Sequence, residues 1–146
     1  MIRKAAAEDL DAILAIEQAS FPRPWSKRSF ESELFRIRTH FLVWEQDETV
    51  AGYIIFWYVL DEAEIADVAV ADSFKRLGIA KRLIEHCMSL HDDINVVHLE
   101  VAKDNIPAVS LYKKMGFIEN GEIKDYYGAG RNAYRMSLQC GLNRGD

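Results

Sequence analysis

Between Ala63 and Met88 the chain reads AEIADVAVADSFKRLGIAKRLIEHCM, and within this run the period of its apolar residues changes. The first part alternates, with Ile65, Asp67 and Ala69 on one side and Ala66, Val68 and Val70 on the other. Such alternation specifies a β-strand. The last part places Ile79, Ala80, Leu83, Ile84, Cys87 and Met88 on one stripe and leaves Lys81, Arg82 and Glu85 outside it, the pattern of an amphipathic helix. The change occurs across a short turn rich in Lys and Arg that ends at Gly78. A helix N-terminus carries unpaired backbone N–H groups and a partial positive charge. Lys75, Arg76, Lys81 and Arg82 add to that charge, and Gly78 lets a ligand approach the backbone closely. The turn lacks the Gly-Lys-Ser/Thr ending of a Walker loop and the three spaced glycines of a dinucleotide fingerprint. Taken alone, it leaves open both a phosphate site and an ordinary solvated turn.

The remaining segments build a sheet around this unit. MIRKA predicts a short first strand, and EDLDAILAIEQAS a helix with acidic residues in its first turn. FPRPW ends that helix, because each proline disfavours α geometry in the residue before it. Ser26 is placed to cap a second helix, KRSFESELF. HFLVWEQ and VAGYIIFWYVL, separated by DET, predict an antiparallel hairpin. NVVHLEVA predicts a strand, and NIPAVSLYKKMGF a helix with Pro107 in its first turn and Gly116 at its end. Strands around FIENGEIKDYY and NAYRMSLQC close the chain. The expected order is βααβββαβαββ, an α/β (α+β) fold with a mixed central sheet and helices on both faces. With 146 residues and no Pro/Gly/Ser-rich linker, residues 1–146 are expected to form a single domain.

Composition narrows the partners. A net charge of −5 does not provide the basic surface that nonspecific nucleic-acid binding needs. Two distant cysteines, Cys87 and Cys140, fit neither a disulfide framework nor a zinc site, and Cys87 falls on the apolar stripe of its helix. No metal site is expected. The most apolar run, Val50 to Leu60, is too short to span a bilayer as a helix. A cytoplasmic protein without membrane association is the expectation.

KRLGIA after a strand, followed by LEVAKDNIPAVSLYKKMGF, resembles the GCN5-related N-acetyltransferase (GNAT) family. Gly78 and Ala80 match the last positions of that family's Gln/Arg-x-x-Gly-x-Gly/Ala loop, with Lys75 standing where Gln or Arg is usual. FPRPWS, LEVAKDN and DYYG are most similar to the ribosomal-protein-alanine N-acetyltransferases. The resemblance implies acetyl-coenzyme A as acetyl donor, with Lys75, Arg76, Leu77, Gly78, Ile79, Ala80 and Lys81 around its pyrophosphate. It implies that backbone N–H groups of Val68, Ala69 and Val70 polarise the thioester, and that Asn105 bonds the pantetheine or phosphate region.

Acetyl transfer to an amine calls for a base, a polarised carbonyl and an acid for the leaving thiolate. The alternation in NVVHLEVA puts His98 and Glu100 on one face, away from Val97, Leu99 and Val101. A mid-strand carboxylate needs a partner or a task. A salt-bridged or cleft-edge Glu100 accounts for the pattern as well as a catalytic one does; the resemblance implies that Glu100 is the general base, acting directly or through a water. His98 is the fallback base, although a structural histidine fits it better. Tyr112 lies among Ala108, Leu111 and Met115 at helical spacing, as a packing residue would; the resemblance implies that it is the general acid and that it also touches the cofactor. The resemblance implies that Pro24, Trp25, Tyr126 and Tyr127 flank the acceptor peptide, although Tyr126 and Tyr127 also fit as ordinary strand-end residues, and Asp67 is a further carboxylate with a possible substrate contact. The expected activity is Nα-acetylation of a protein N-terminus, alanine of a small-subunit ribosomal protein in particular, by a monomer or weak dimer. A lysine side chain or small amine as acceptor, and a noncatalytic coenzyme A-binding interaction domain, are the competing expectations.

Overall fold

A computed structural model describes residues 1–140. The elements follow the expected order: β1 (Ile2–Lys4), α1 (Leu10–Ser20), α2 (Lys27–Glu33), β2 (Thr39–Gln46), β3 (Thr49–Val59), β4 (Glu62–Val70), α3 (Ile79–Ser89), β5 (Val96–Ala102), α4 (Ile106–Met115), β6 (Ile118–Ile123) and β7 (Ala133–Gln139). Seven strands form one mixed sheet in the order β1-β2-β3-β4-β5-β7-β6. The β4–β5 pair is parallel, and the pairs β1–β2, β2–β3, β5–β7 and β6–β7 are antiparallel. The described chain divides into two compact units, Met1–Tyr58 with Ile65–Leu90, and Val59–Glu64 with His91 onward. Strand β4 therefore starts in the second unit and ends in the first.

The first unit is built on the β2–β3 hairpin. Its turn is Asp47–Glu48, both with positive φ, the backbone pattern that matches strand twist in a two-residue hairpin. Phe41, Val43, Tyr53 and Ile55 share one face and form a core with Leu10, Ile13 and Ile16 of α1 and Phe30 of α2. Each such fully buried side chain contributes roughly 1.5–3 kcal/mol. Gly52 projects to the opposite face from its neighbour Tyr53, where an added Cβ would lie 3.3 Å from Ile79 Cγ2 and 3.0 Å from the Ala69 carbonyl oxygen. Its lack of a side chain lets α3 lie close against β3 on that face. Ser26 caps α2 as expected, accepting from the Ser29 N–H at 3.1 Å.

The second unit rests on β5, which runs antiparallel to β7 from Val96↔Gln139 to Ala102↔Ala133. Val97, Leu99 and Val101 are buried, so His98 and Glu100 occupy the other face, as the alternation requires. The Asn105 side chain caps α4, with Pro107 in the first turn and Gly116 ending the helix. The parallel ladder to β4 comprises Glu62↔Val96, Ala63↔Val97 and Glu64↔His98. Among the described residues, no helix is long and apolar enough to cross a membrane.

Candidate active site

In the first unit, the Gly78 turn opens α3. Gly78 adopts φ +79, a left-handed conformation in which a side chain is strained, and the space its Cβ would fill is open. The first helical hydrogen bond runs from the Arg82 N–H to the Gly78 carbonyl at 3.0 Å. Helix geometry leaves the N–H groups of Ile79, Ala80 and Lys81 without an acceptor inside α3. Arg76 also has positive φ, which gives the turn its sharp reversal. Lys75 bends back onto Asp72 with Nζ to Oδ1 at 2.8 Å, and Leu77 is exposed. Upstream, Ala69 is buried while Val68 and Val70 are half-buried on the other side of β4. On α3 itself, Cys87 is fully buried, and burial pushes its thiol up to about 12, as for a small core hydrophobe.

The second unit holds Glu100, Tyr112 and Tyr126. Glu100 lies opposite Arg135 in the β5–β7 register, with Arg135 Nη2 3.7 Å from Glu100 Oε1. Its side chain is only 14 % exposed, so the carboxyl is neither a free surface group nor a core one. The sequence had not singled out its other neighbour. Glu64 stands opposite His98 in the parallel ladder, one same-face step from Glu100, and hydrogen-bonds the Glu100 carboxyl. Burial pushes the Glu64 carboxyl above its usual range; the Glu100 charge and the hydrogen bond add to this, while Arg135 and His98 pull the other way.

Other expected residues take up distinct places in this unit. The Tyr126 hydroxyl has its pKa raised by partial burial and then by the charges of Glu100 and Glu64, which puts it within the field of the pair. Tyr126 meets Tyr127 edge to face at 4.8 Å, in a loop where Asp125 Oδ1 accepts from the Gly130 N–H at 2.7 Å. Tyr112 is 7 % exposed and packs edge to face against Phe117 at 5.7 Å. Asn105 Oδ1 accepts from the Ala108 N–H at 3.3 Å, the capping role. Both ring nitrogens of His98 are engaged, Nδ1 with Ser137 Oγ at 2.7 Å and Nε2 with Glu62 Oε1 at 3.1 Å. This is a structural histidine.

Asp67 requires a correction. Rather than meeting a substrate, it is 8 % exposed and sits inside the first unit, on the same buried face as Ile65 and Ala69. There it hydrogen-bonds Glu17, itself 1 % exposed. Burial, the Glu17 hydrogen bond and the Glu17 charge push the Asp67 carboxyl up to about 10, with the Val68 N–H acting against them, so Asp67 is protonated at neutral pH. The Tyr53 hydroxyl donates to Glu17 Oε1 at 2.6 Å and the Trp25 N–H donates to Oε2 at 2.9 Å. The Trp25 ring packs between Phe30 at 5.4 Å and Trp57 at 6.2 Å, whereas Pro24 is exposed.

The model of the Acetyltransferase (GNAT) family matches residues 10–117, a span that holds Glu64, Gly78, Glu100 and Tyr112. The chain belongs to the GNAT acetyltransferase family. As a GNAT protein it is an N-acetyltransferase. A ribosomal protein bS18-alanine N-acetyltransferase of Escherichia coli (strain K12) is 33 % identical over 121 residues, covering 82 % of this chain and 81 % of that one. An N-alpha-acetyltransferase of Sulfurisphaera tokodaii is 32 % identical over 151 aligned positions, covering 93 % and 90 %. The crystal structure of the Escherichia coli ribosomal-protein-S18-alanine N-acetyltransferase superposes with a TM-score of 0.85 at 30 % identity, over 95 % of this chain and 92 % of that chain. The GNAT fold expected from the motifs is the fold found.

Proposed function

We propose that this GNAT enzyme works as one domain over residues 1–146 in the cytoplasm. It transfers the acetyl group of acetyl-coenzyme A to the α-amine of a protein N-terminus, and alanine of a small-subunit ribosomal protein is the acceptor that fits best. The observation that carries this reading is the Glu64–Glu100 pair. It offers a proton acceptor on a strand face beside a cation and a tyrosine-bearing loop. An α-amine, with an ordinary pKa near 8, needs only modest help to lose its proton at neutral pH. Glu100 takes that proton, directly or through one water, and the freed amine attacks the thioester carbonyl. The C–N bond forms, the nitrogen sheds its second proton to solvent, and the C–S bond breaks. The Tyr112 hydroxyl gives its proton to the departing thiolate and is reprotonated from solvent as Glu100 releases the proton it took.

Each remaining part has a role in this reading. The N–H groups opening α3, with Lys75, Arg76 and Lys81 around them, hold the donor's pyrophosphate. Backbone N–H groups of Val68, Ala69 and Val70 hold its pantetheine arm and polarise the carbonyl. Asn105 adds a contact to the donor beside its capping bond. Pro24, Trp25, Tyr126 and Tyr127 hold the first residues of the acceptor. The names of the Escherichia coli and Sulfurisphaera relatives support an α-amino acceptor. The net charge of −5 suits a basic peptide.

Mass spectrometry on two peptides with acetyl-coenzyme A tests the reading. One peptide begins with free alanine followed by basic residues; the other has a blocked N-terminus and internal lysines. Product on the first alone is expected. Product on the second alone would replace the α-amine by a lysine side chain. Coenzyme A binding with no product on either would remove the assignment of a protein acceptor, leaving a small amine or a noncatalytic binding role.

A further inference from the structure

We infer that Glu17 is a positioning residue: from inside the first unit it fixes the backbone of the Pro24–Trp25 loop and so sets the grip on the acceptor peptide. The inference rests on the reading above that this loop flanks the acceptor. Residues 21–25 read FPRPW, and with two prolines they carry only three backbone N–H groups, on Phe21, Arg23 and Trp25. Two of these end on one residue. The Phe21 N–H donates to the Glu17 carbonyl at 3.0 Å, and the Trp25 N–H donates to Glu17 Oε2 at 2.9 Å. Glu17 thus ties the entry and the exit of the loop.

Packing alone does not explain a carboxylate at this place. On α1, Glu17 follows Leu10 and Ile13 on the buried stripe, where an apolar side chain would serve the core without desolvating a charge. Its lone pairs are spoken for. Tyr53 donates to Oε1 at 2.6 Å from β3, and the Asp67 carboxyl hydrogen-bonds it from β4. Three donors from three parts of the unit hold one carboxylate still, and that carboxylate holds Trp25. The indole is seated in turn: Phe30 lies at 5.4 Å, and Trp57, whose Nε1 donates to Glu33 at 3.0 Å, at 6.2 Å. Pro24, fixed in φ and exposed, is what the assembly presents outward.

The test is Glu17→Gln, which keeps the shape and one acceptor oxygen but removes the charge. With an alanine-initiated basic peptide, KM for the peptide should rise about tenfold, the scale of losing a charged acceptor for one backbone N–H. The turnover number should stay within about twofold of wild type, KM for acetyl-coenzyme A should not change, and hydrogen exchange at the Trp25 amide should speed up. Trp25→Ala is run beside it and should also raise the peptide KM. If Trp25→Ala raises it and Glu17→Gln does not, the positioning role falls and the loop assignment survives. If neither does, the loop assignment falls and takes this inference with it. Equal losses in both KM values and in turnover for Glu17→Gln would mean general loosening and overturn the inference. Should Glu17→Gln fail to fold, Tyr53→Phe, which deletes one donor to Glu17 and keeps the ring, should show the same KM split; a wild-type peptide KM there overturns it.

Discussion

Two of the carboxyl groups on strand β4, Glu64 and Asp67, stand three residues apart, and each meets a glutamate from elsewhere in its own unit. Glu64 meets Glu100 in the second unit, and Asp67 meets Glu17 in the first. Glu64 and Asp67 are both pushed above their usual range, chiefly by burial. What surrounds them differs. Around Glu17 and Asp67 the donors are fixed groups of the fold, a tyrosine hydroxyl at 2.6 Å and a backbone N–H at 2.9 Å. Around Glu64 and Glu100 the partners are an arginine at 3.7 Å and a tyrosine that is 45 % exposed, side chains that leave room for a third party. A buried carboxyl pair whose glutamate is held by fixed donors of the fold acts as structure. A pair with a loose cation and access to solvent can take a proton from something that arrives.

The strongest way to break this contrast is Glu100→Gln. It should lower kcat/KM at pH 7 by about 10²–10⁴-fold, the usual worth of a positioned base. At pH 9 the loss should shrink about tenfold, because an α-amine of pKa near 8 is then mostly neutral without help. A pH–rate profile on the alanine peptide checks this, and an equal loss at both values would remove Glu100 from the base role. Next in size is Tyr112→Phe. It should slow turnover by roughly 10–100-fold while leaving the dissociation constant for coenzyme A within about twofold. Wild-type kinetics would reduce Tyr112 to its contact with Phe117.

How far the sequence foretold these sites depends on how local each signal is. The βααβββαβαββ order, the Ser26 and Asn105 caps and the Gly78 turn all follow from neighbours within a few residues, and all appear where expected. Alternation along NVVHLEVA separates Glu100 from the buried side correctly, because a strand's period is a local property. Glu64 was invisible for the opposite reason. Its meeting with Glu100 depends on the register Glu64↔His98 between strands separated by an entire helix, and no spacing in the chain encodes that. For Asp67 and Glu17 a signal did exist. Asp67 alternates with Ile65 and Ala69, and Glu17 stands seven residues after Leu10 and four after Ile13, so both lie on apolar faces. Charged residues on such faces are buried and must find partners, which argues against the substrate contact expected of Asp67.

Glu64→Gln sharpens the comparison on the catalytic side. Glu64 has a raised pKa, so at low pH it is protonated and glutamine is a fair copy of it. As pH rises through the Glu64 titration, the wild-type pair gains a negative charge that the variant lacks, and that charge attracts the ammonium form of the acceptor. The peptide KM of wild type and variant should therefore agree in acid and diverge toward about tenfold above that titration. Parallel KM curves at every pH would show that Glu64 does not touch the acceptor's charge.

Asp67→Asn probes the closed pair through stability, and the sign is opposite to that of a salt-bridged aspartate. The folded-state pKa of Asp67, about 10, lies above its ordinary value of 3.8. Between those values the folded chain holds a proton that the unfolded chain has released, so its contribution to stability is whole below the lower value and declines as pH rises toward the upper one. Asparagine donates to Glu17 as the protonated acid does, without a proton to lose. The variant should fall below wild type near pH 4, where its amide makes the weaker hydrogen bond, and should gain on wild type steadily toward pH 8 as the proton linkage of Asp67 is lost. Urea unfolding at both pH values reads this directly. If the variant instead loses stability more at pH 8 than at pH 4, Asp67 is ionised in the fold. Glu17 would then face an anion rather than a donor, and the difference drawn between the two pairs would disappear.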